Sequence, residues 1–199
     1  MTEIKFFVYG SMSEGLVHFN KIKEFIVSKK PARVKAEAWR LKVGFPVLVD
    51  SGDDLISGEI VTLNSSDLLI GILDQFHGFN TFELDKSLYF RKTVEADTAE
   101  GVEAVQIYFL NPSHLPQTAI KINGGDWKQS LLDEPPLTSK LTEKQKQYIM
   151  KLSIAKGRDS IPCDLMSVYR PLLNMELIVD KGRRSALSKL GHEVVRYLD

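Results

Sequence analysis

The sequence predicts an α+β protein, a small mixed β-barrel or sheet flanked by helices, with a helical unit appended after it. Two observations carry this expectation. The elements run strand, helix, several strands, helix, strands and then a helical tail, which is not the regular alternation of a doubly wound sheet. Charge also divides the chain: residues 1–139 hold 14 Lys and Arg against 19 Asp and Glu, a net −5, whereas 140–199 hold 12 against 7, a net +5. Such an asymmetry points to two units, although halves of opposite sign also simply attract.

IKFFVYG (4–10) is a β-prone apolar run ending in glycine, which predicts a buried strand. In the stretch that follows, Leu16, Phe19, Ile22 and Ile26 recur at helical spacing and lysines gather at the far end, which predicts a helix. AEAWRL (36–41) and FPVLV (45–49) read as strands around a turn at Gly44, and LISGEIVTL (55–63) as a further strand interrupted by Gly58. SSDLLIGILDQFHG offers a serine cap, apolar residues at 68, 69, 72, 73 and 76, and Gly78 as a C-terminal stop, so a helix is expected there. LYFRKTVEA (88–96) and AVQIYFL (104–110) are strands, and LPQTAIKINGGDW (115–127) closes the first unit.

KQSLLDEPPLTSK, with paired prolines among polar residues, reads as a linker, bounded here at 131–140 between units at 1–130 and 141–199. LTEKQ then starts a helix, with Thr142 and Gln145 at capping-box spacing and Tyr148, Ile149, Leu152 and Ala155 on one apolar face. DLMSVYRPLLNMEL is helical, but Pro171 is expected to split it or to start a new short helix. LIVDKGRRSALS reads as a hairpin turning at Lys181–Gly182, and KLGHEVVRYL as a final short helix.

Apolar content is 43 % and charged content 26 %, ordinary for a soluble globular protein. One cysteine, Cys163, excludes an internal disulfide and suits a reducing compartment. The N-terminus lacks the features of a signal peptide, and no apolar run reaches membrane-spanning length, so a cytoplasmic protein without a membrane partner is expected. His18, His77, His114, His192 and Cys163 lack metal-ligand spacing, no phosphate-cradling motif is present, and neither a metal nor a cofactor is expected.

VYGSM (8–12) is more informative. A strand runs into a tight turn that opens a helix, so successive amides point outward and can receive a carboxylate. The alternative is an ordinary corner at which Gly10 merely permits the turn. VYGSM is followed in order by AEAWRLKVGFPVLV, SGEIVTLN, ILDQFHGF, SLYFRKTVEA, EAVQIYF and GGDW. This succession, over about residues 4–130, resembles the gamma-glutamylcyclotransferase-like family, including its AIG2-like members. The resemblance implies a small mixed β-barrel. It also implies a reaction in which a substrate's own α-amine attacks its γ-carbonyl, releasing 5-oxoproline and an amine. Tyr9, Gly10, Ser11 and Met12 would line the pocket for the γ-glutamyl ligand, and Tyr89 and Arg91 would match a supporting strand.

The chain departs from the family at the residue that matters most. Where the family has LDxxEG this sequence has LDQFHG, so His77 stands at the position of the glutamate that takes the α-ammonium's proton. A neutral imidazole, with a reference pKa near ~6.5, can accept a proton but cannot offer negative charge. The expectation is therefore a cyclotransferase with altered or weakened catalysis or a pseudoenzyme, and the bland alternative is that His77 merely ends a helix. Asp74, Glu83 and Asp85 are candidate replacement acids, each otherwise an ordinary surface charge. The tail also resembles the wing and last helix of a winged-helix unit, in which Lys181, Arg183 and Arg184 would touch nucleic-acid phosphate. A helical appendage packing on the barrel, with a solvated basic hairpin, is the favoured reading.

Overall fold

The computed structural model describes residues 2–65, 67–155, 166–180, 182 and 185–198. The chain divides into two compact units, one formed by residues 1–41 and 45–133 and the other by 42–44 and 134–199.

The first unit is a six-stranded mixed sheet that curls back on itself. Its strands are β1 (Thr2–Val8), β2 (Ile26–Arg40), β3 (Pro46–Ser65), β4 (Tyr89–Thr98), β5 (Gly101–Leu110) and the short β6 (Ile120–Lys121). They lie in the order β3-β1-β5-β4-β2-β6, and β3 pairs a second time with β2, which closes the sheet. Only β1 and β5 are parallel; the other pairs are antiparallel. Side chains alternate along β1. Phe7 joins one core with Val34, Ile56, Phe109 and Trp127, while Phe6 and Val8 join another with Leu69, Leu73 and Tyr108. The second core is the one covered by helix α1 (Asp67–His77).

α1 ends as its sequence predicts. Gly78 sits at φ +63°, its amide donates to the Gln75 carbonyl, and the Phe79 amide reaches the Asp74 carbonyl, the two bonds of a Schellman stop. The serine cap expected at its start involves Ser66, which lies outside the described residues.

Three expectations about the first unit are corrected. Residues 16–26 form no α-helix: two 3₁₀ turns, Phe19–Lys21 and Lys23–Phe25, follow Gly15 at φ +81°, and the chain enters β2 at Ile26. Positions 16, 19 and 22 are three apart, which fits 3₁₀ winding as well as α, and β-branched Ile26 is recruited by pairing with Leu63 of β3. The two strands expected at 45–49 and 55–63 are one continuous β3, whose register against β2 jumps from Val49 to Asp54 while β2 advances by one residue. The start of the expected linker is also helical: α2 spans Trp127–Asp133, and its Leu131 packs on the first core.

The second unit holds α3 (Glu143–Ala155), α4 (Met166–Asn174), the hairpin β7 (Ile178–Asp180) and β8 (Ser185–Leu187), and α5 (Lys189–Val195). Tyr148, Ile149 and Leu152 are buried on the predicted face of α3. The capping box is reciprocal: the Thr142 amide donates to Gln145 Oε1 at 2.8 Å, and the Gln145 amide to Thr142 Oγ1 at 3.3 Å. Thr142→Ala is expected to cost about 1 kcal/mol, read as a lower denaturation midpoint by far-ultraviolet circular dichroism. Pro171 neither splits α4 nor starts a new helix, because the helix runs through it to Asn174. Cys163, Lys181, Arg183 and Arg184 lie outside the described residues.

Candidate active site

The turn after β1 is built on Gly10. Its φ is +57°, and a Cβ there would come within 3.0 Å of the Pro46 side chain, so the turn needs glycine twice over. Gly10–Met12 form one 3₁₀ turn, whose opening amides by position have no acceptor within it. Tyr9 is a strut: its hydroxyl donates to the Tyr108 carbonyl at 3.2 Å and accepts from the Leu48 amide at 3.1 Å, tying β5 to β3. Ser11 Oγ lies 2.9 Å from Nδ1 of His18, and Met12 packs into the core beneath α1.

His77 occupies the last turn of α1 and is half-buried. Its ring lies flat on Tyr108, with centroids 3.7 Å apart and planes 3° from parallel, and Phe76 and Tyr89 meet it edge-on. Nδ1 is 2.9 Å from the Leu73 carbonyl. A carbonyl only accepts, so Nδ1 carries the hydrogen and Nε2 is the nitrogen able to take up a proton.

Asp74 stands three residues before His77 on α1, hence on a neighbouring face. Arg91 grips its carboxylate with two bonds, Nε to Oδ1 at 2.9 Å and Nη2 to Oδ2 at 3.2 Å, and the Tyr108 hydroxyl donates to Oδ1 at 2.7 Å. Burial first, and the Asp74 carboxylate second, push the Tyr108 phenol well above the ordinary tyrosine range, so it stays a hydrogen-bond donor near neutrality. Asp74 is thus engaged as the anchor of Arg91 and Tyr108. Glu83 is exposed and paired with Lys86 at 2.5 Å, and Asp85 is exposed on a 3₁₀ turn.

Four of the residues singled out from sequence, Tyr9, Asp74, His77 and Arg91, therefore lie around Tyr108. Its carbonyl holds Tyr9, its ring supports His77 and its hydroxyl shares the Asp74 carboxylate with Arg91. Sequence reasoning passed over Tyr108, which lay unmarked in an apolar strand, and His18, which reaches the turn only because its amide folds back to the Ser11 carbonyl at 2.8 Å. A separate cleft of about 390 Å³ lies between Ser13–Leu16, Gly58–Glu59 and α2, and is lined by Trp127 and Leu131 but not by His77. We place the candidate chemistry at Tyr108 because the polar groups converge there. Among the described residues, no cluster of His, Cys, Asp and Glu could hold a metal ion, and no helix is long and apolar enough to cross a membrane.

The first unit is thus a closed mixed sheet with a glycine turn after its first strand and a helix, α1, over one of its two cores. Residues 6–129 match the family model of Gamma-glutamyl cyclotransferase, AIG2-like, and the chain belongs to that family. Among solved structures it is similar to YkqA from Bacillus subtilis, at 27 % identity and a TM-score of 0.50, over 66 % of this chain and 42 % of that one. It is also similar to a protein from Arabidopsis thaliana, At3g28950.1, at 21 % identity, a TM-score of 0.49 and coverage of 67 % and 78 %. An AIG2-like protein from Mus musculus aligns at 16 % identity, a TM-score of 0.46 and coverage of 59 % and 82 %. No curated protein matches the chain in sequence.

Proposed function

We propose that residues 1–130 act on a γ-glutamyl or related amino-acid amide by attack of the substrate's own α-amine on its γ-carbonyl, with His77 in the place of the family glutamate. The observation that supports this reading is that Tyr9, which opens the turn, bonds to the Tyr108 carbonyl while His77 stacks on the Tyr108 ring, in a chain of this family. In this scheme the turn holds the glutamyl end, and Nε2 of His77 takes the proton that the α-ammonium must lose. Imidazole serves as a base but gives the ammonium no opposite charge. A general base typically contributes about 10²–10⁴-fold, so turnover is expected to be weak. The single cysteine suits a cytoplasmic setting.

A second reading, binding without turnover, draws on the way His77 is held. A ring stacked flat on Tyr108 with Nδ1 committed to Leu73 also describes a residue packed for structure. In that case residues 141–199 would serve a regulatory contact with a protein or nucleic acid.

The test is release of 5-oxoproline, measured by mass spectrometry, from a panel of γ-glutamyl amines and dipeptides. The expected result is slow release by the wild type, lost in His77→Ala and raised at least tenfold in His77→Glu. Release by His77→Glu alone would establish the binding reading. Silence from all three proteins would sink the proposal.

A further inference from the structure

The Ser11–His18 contact is a feature that the cyclisation scheme does not use. Ser11 sits on the tight turn that ends β1, immediately after Gly10 at φ +57°, with its side chain half-buried. His18 is 1 % exposed, and its Nδ1 lies 2.9 Å from Ser11 Oγ. Two further contacts hold His18, one through its main chain and one through its ring. Its own amide donates to the Ser11 carbonyl at 2.8 Å, and its ring meets Phe76 edge-on at 4.7 Å, next to His77 in the chain. A hydroxyl within hydrogen-bond reach of an imidazole that is itself held in place is the arrangement that activates a serine nucleophile. Burial of the imidazole keeps bulk water from competing for the bond.

We propose that Ser11 and His18 form a nucleophile–base pair able to take an acyl group from an amide or activated ester. Ser11 Oγ bonds to the acyl carbon while its proton passes to Nδ1 of His18. The carbon–nitrogen bond of the amide breaks, and that proton leaves on the departing amine. Release follows when a second amine or water attacks the ester, giving a proton back through His18 to Ser11 Oγ. With a γ-glutamyl donor the attacking amine is the substrate's own and the product is again 5-oxoproline, whereas water would yield glutamate. The natural acyl donor rests on the function proposed above; the pair's reactivity does not.

The test therefore uses a probe that needs no γ-glutamyl recognition. The full-length protein is treated with diisopropyl fluorophosphate, whose phosphorus bonds to an activated serine as fluoride leaves, and the adduct is located by peptide mass spectrometry. The expected result is one adduct, on Ser11, absent in Ser11→Ala and formed at least tenfold more slowly in His18→Asn and His18→Gln. Both of these variants can hydrogen-bond but cannot take up a proton at neutral pH. Native tryptophan fluorescence confirms that the variants are folded. Should neither histidine variant fold, the wild-type rate must rise with pH as one histidine loses its proton and then level. No adduct, an adduct on another residue, folded His18 variants labelling within tenfold of wild type, or a flat pH profile would overturn the proposal. Labelling of Ser11 without any 5-oxoproline release would leave the pair standing and remove the substrate assignment alone.

Discussion

Asp74→Ala is expected to lower the stability of the barrel unit by about 2–3 kcal/mol, the cost of leaving a mostly buried guanidinium and a buried phenol without their shared acceptor. Both partners of the Arg91–Asp74 pair are only about one-fifth exposed, at 22 % and 19 %, so solvent cannot fully replace the lost bonds. The effect extends to the site. Tyr108 holds its ring angle partly through the bond to Asp74, and His77 rests on that ring. Tyr108→Phe separates the two contributions, because it keeps the ring and removes only the hydroxyl, at an expected cost of about 1 kcal/mol. Urea denaturation followed by tryptophan fluorescence reads both variants. Trp39 and Trp127 are the only tryptophans and both lie in the barrel unit, so the signal reports that unit alone. Equal destabilisation by the two variants would show that Arg91 gains nothing from Asp74.

Gly58→Ala is expected to be at least as damaging, at about 3 kcal/mol. Gly58 lies in β3 beside β1, and a Cβ there would fall 2.4 Å from Cζ of Phe7 and 2.6 Å from the Val8 carbonyl oxygen. The ring alone could turn aside; the carbonyl belongs to a paired strand and cannot. The strain would act directly upstream of Tyr9, so the β1 turn should loosen together with the core. Denaturation by the same fluorescence signal, and weaker protection of the Tyr9–Met12 amides in hydrogen exchange, are the expected readings. Wild-type stability in Gly58→Ala would mean that β1 and β3 are less closely apposed than their register implies.

Much of this architecture is legible in the sequence because local signals and tertiary demands agree. The helix before Gly78 has its apolar face and its stop written locally, and β4 and β5 pair as the antiparallel hairpin that their two apolar runs predict. Thr142 and Gln145 announce their reciprocal cap by spacing alone. Legibility fails where pairing overrides local preference. Ile26 carries a helical spacing signal, yet pairing with Leu63 of β3 claims it. The extra residues between Val49 and Asp54 looked like a gap between two strands because a bulge leaves no periodic trace. The site divides in the same way. His77 and Tyr9–Met12 stand out through the family's motif. Tyr108 acquires its meaning only when β5 lies parallel to β1 and opposite Arg91 on β4. His18 acquires its own only when the loop of residues 13–17 folds it back onto Ser11.

In the proposed reaction a γ-glutamyl-type ligand binds at the Tyr9–Met12 turn and His77, beside Tyr108. The most direct measurement is titration of isotopically labelled protein with 5-oxoproline, the product of the proposed reaction, followed by backbone amide chemical shifts. Saturable shifts centred on Gly10, Ser11, Met12, His77 and Tyr108 are the expected result. Shifts centred instead on Trp127 and Leu131, in the cleft beside α2, would contradict it.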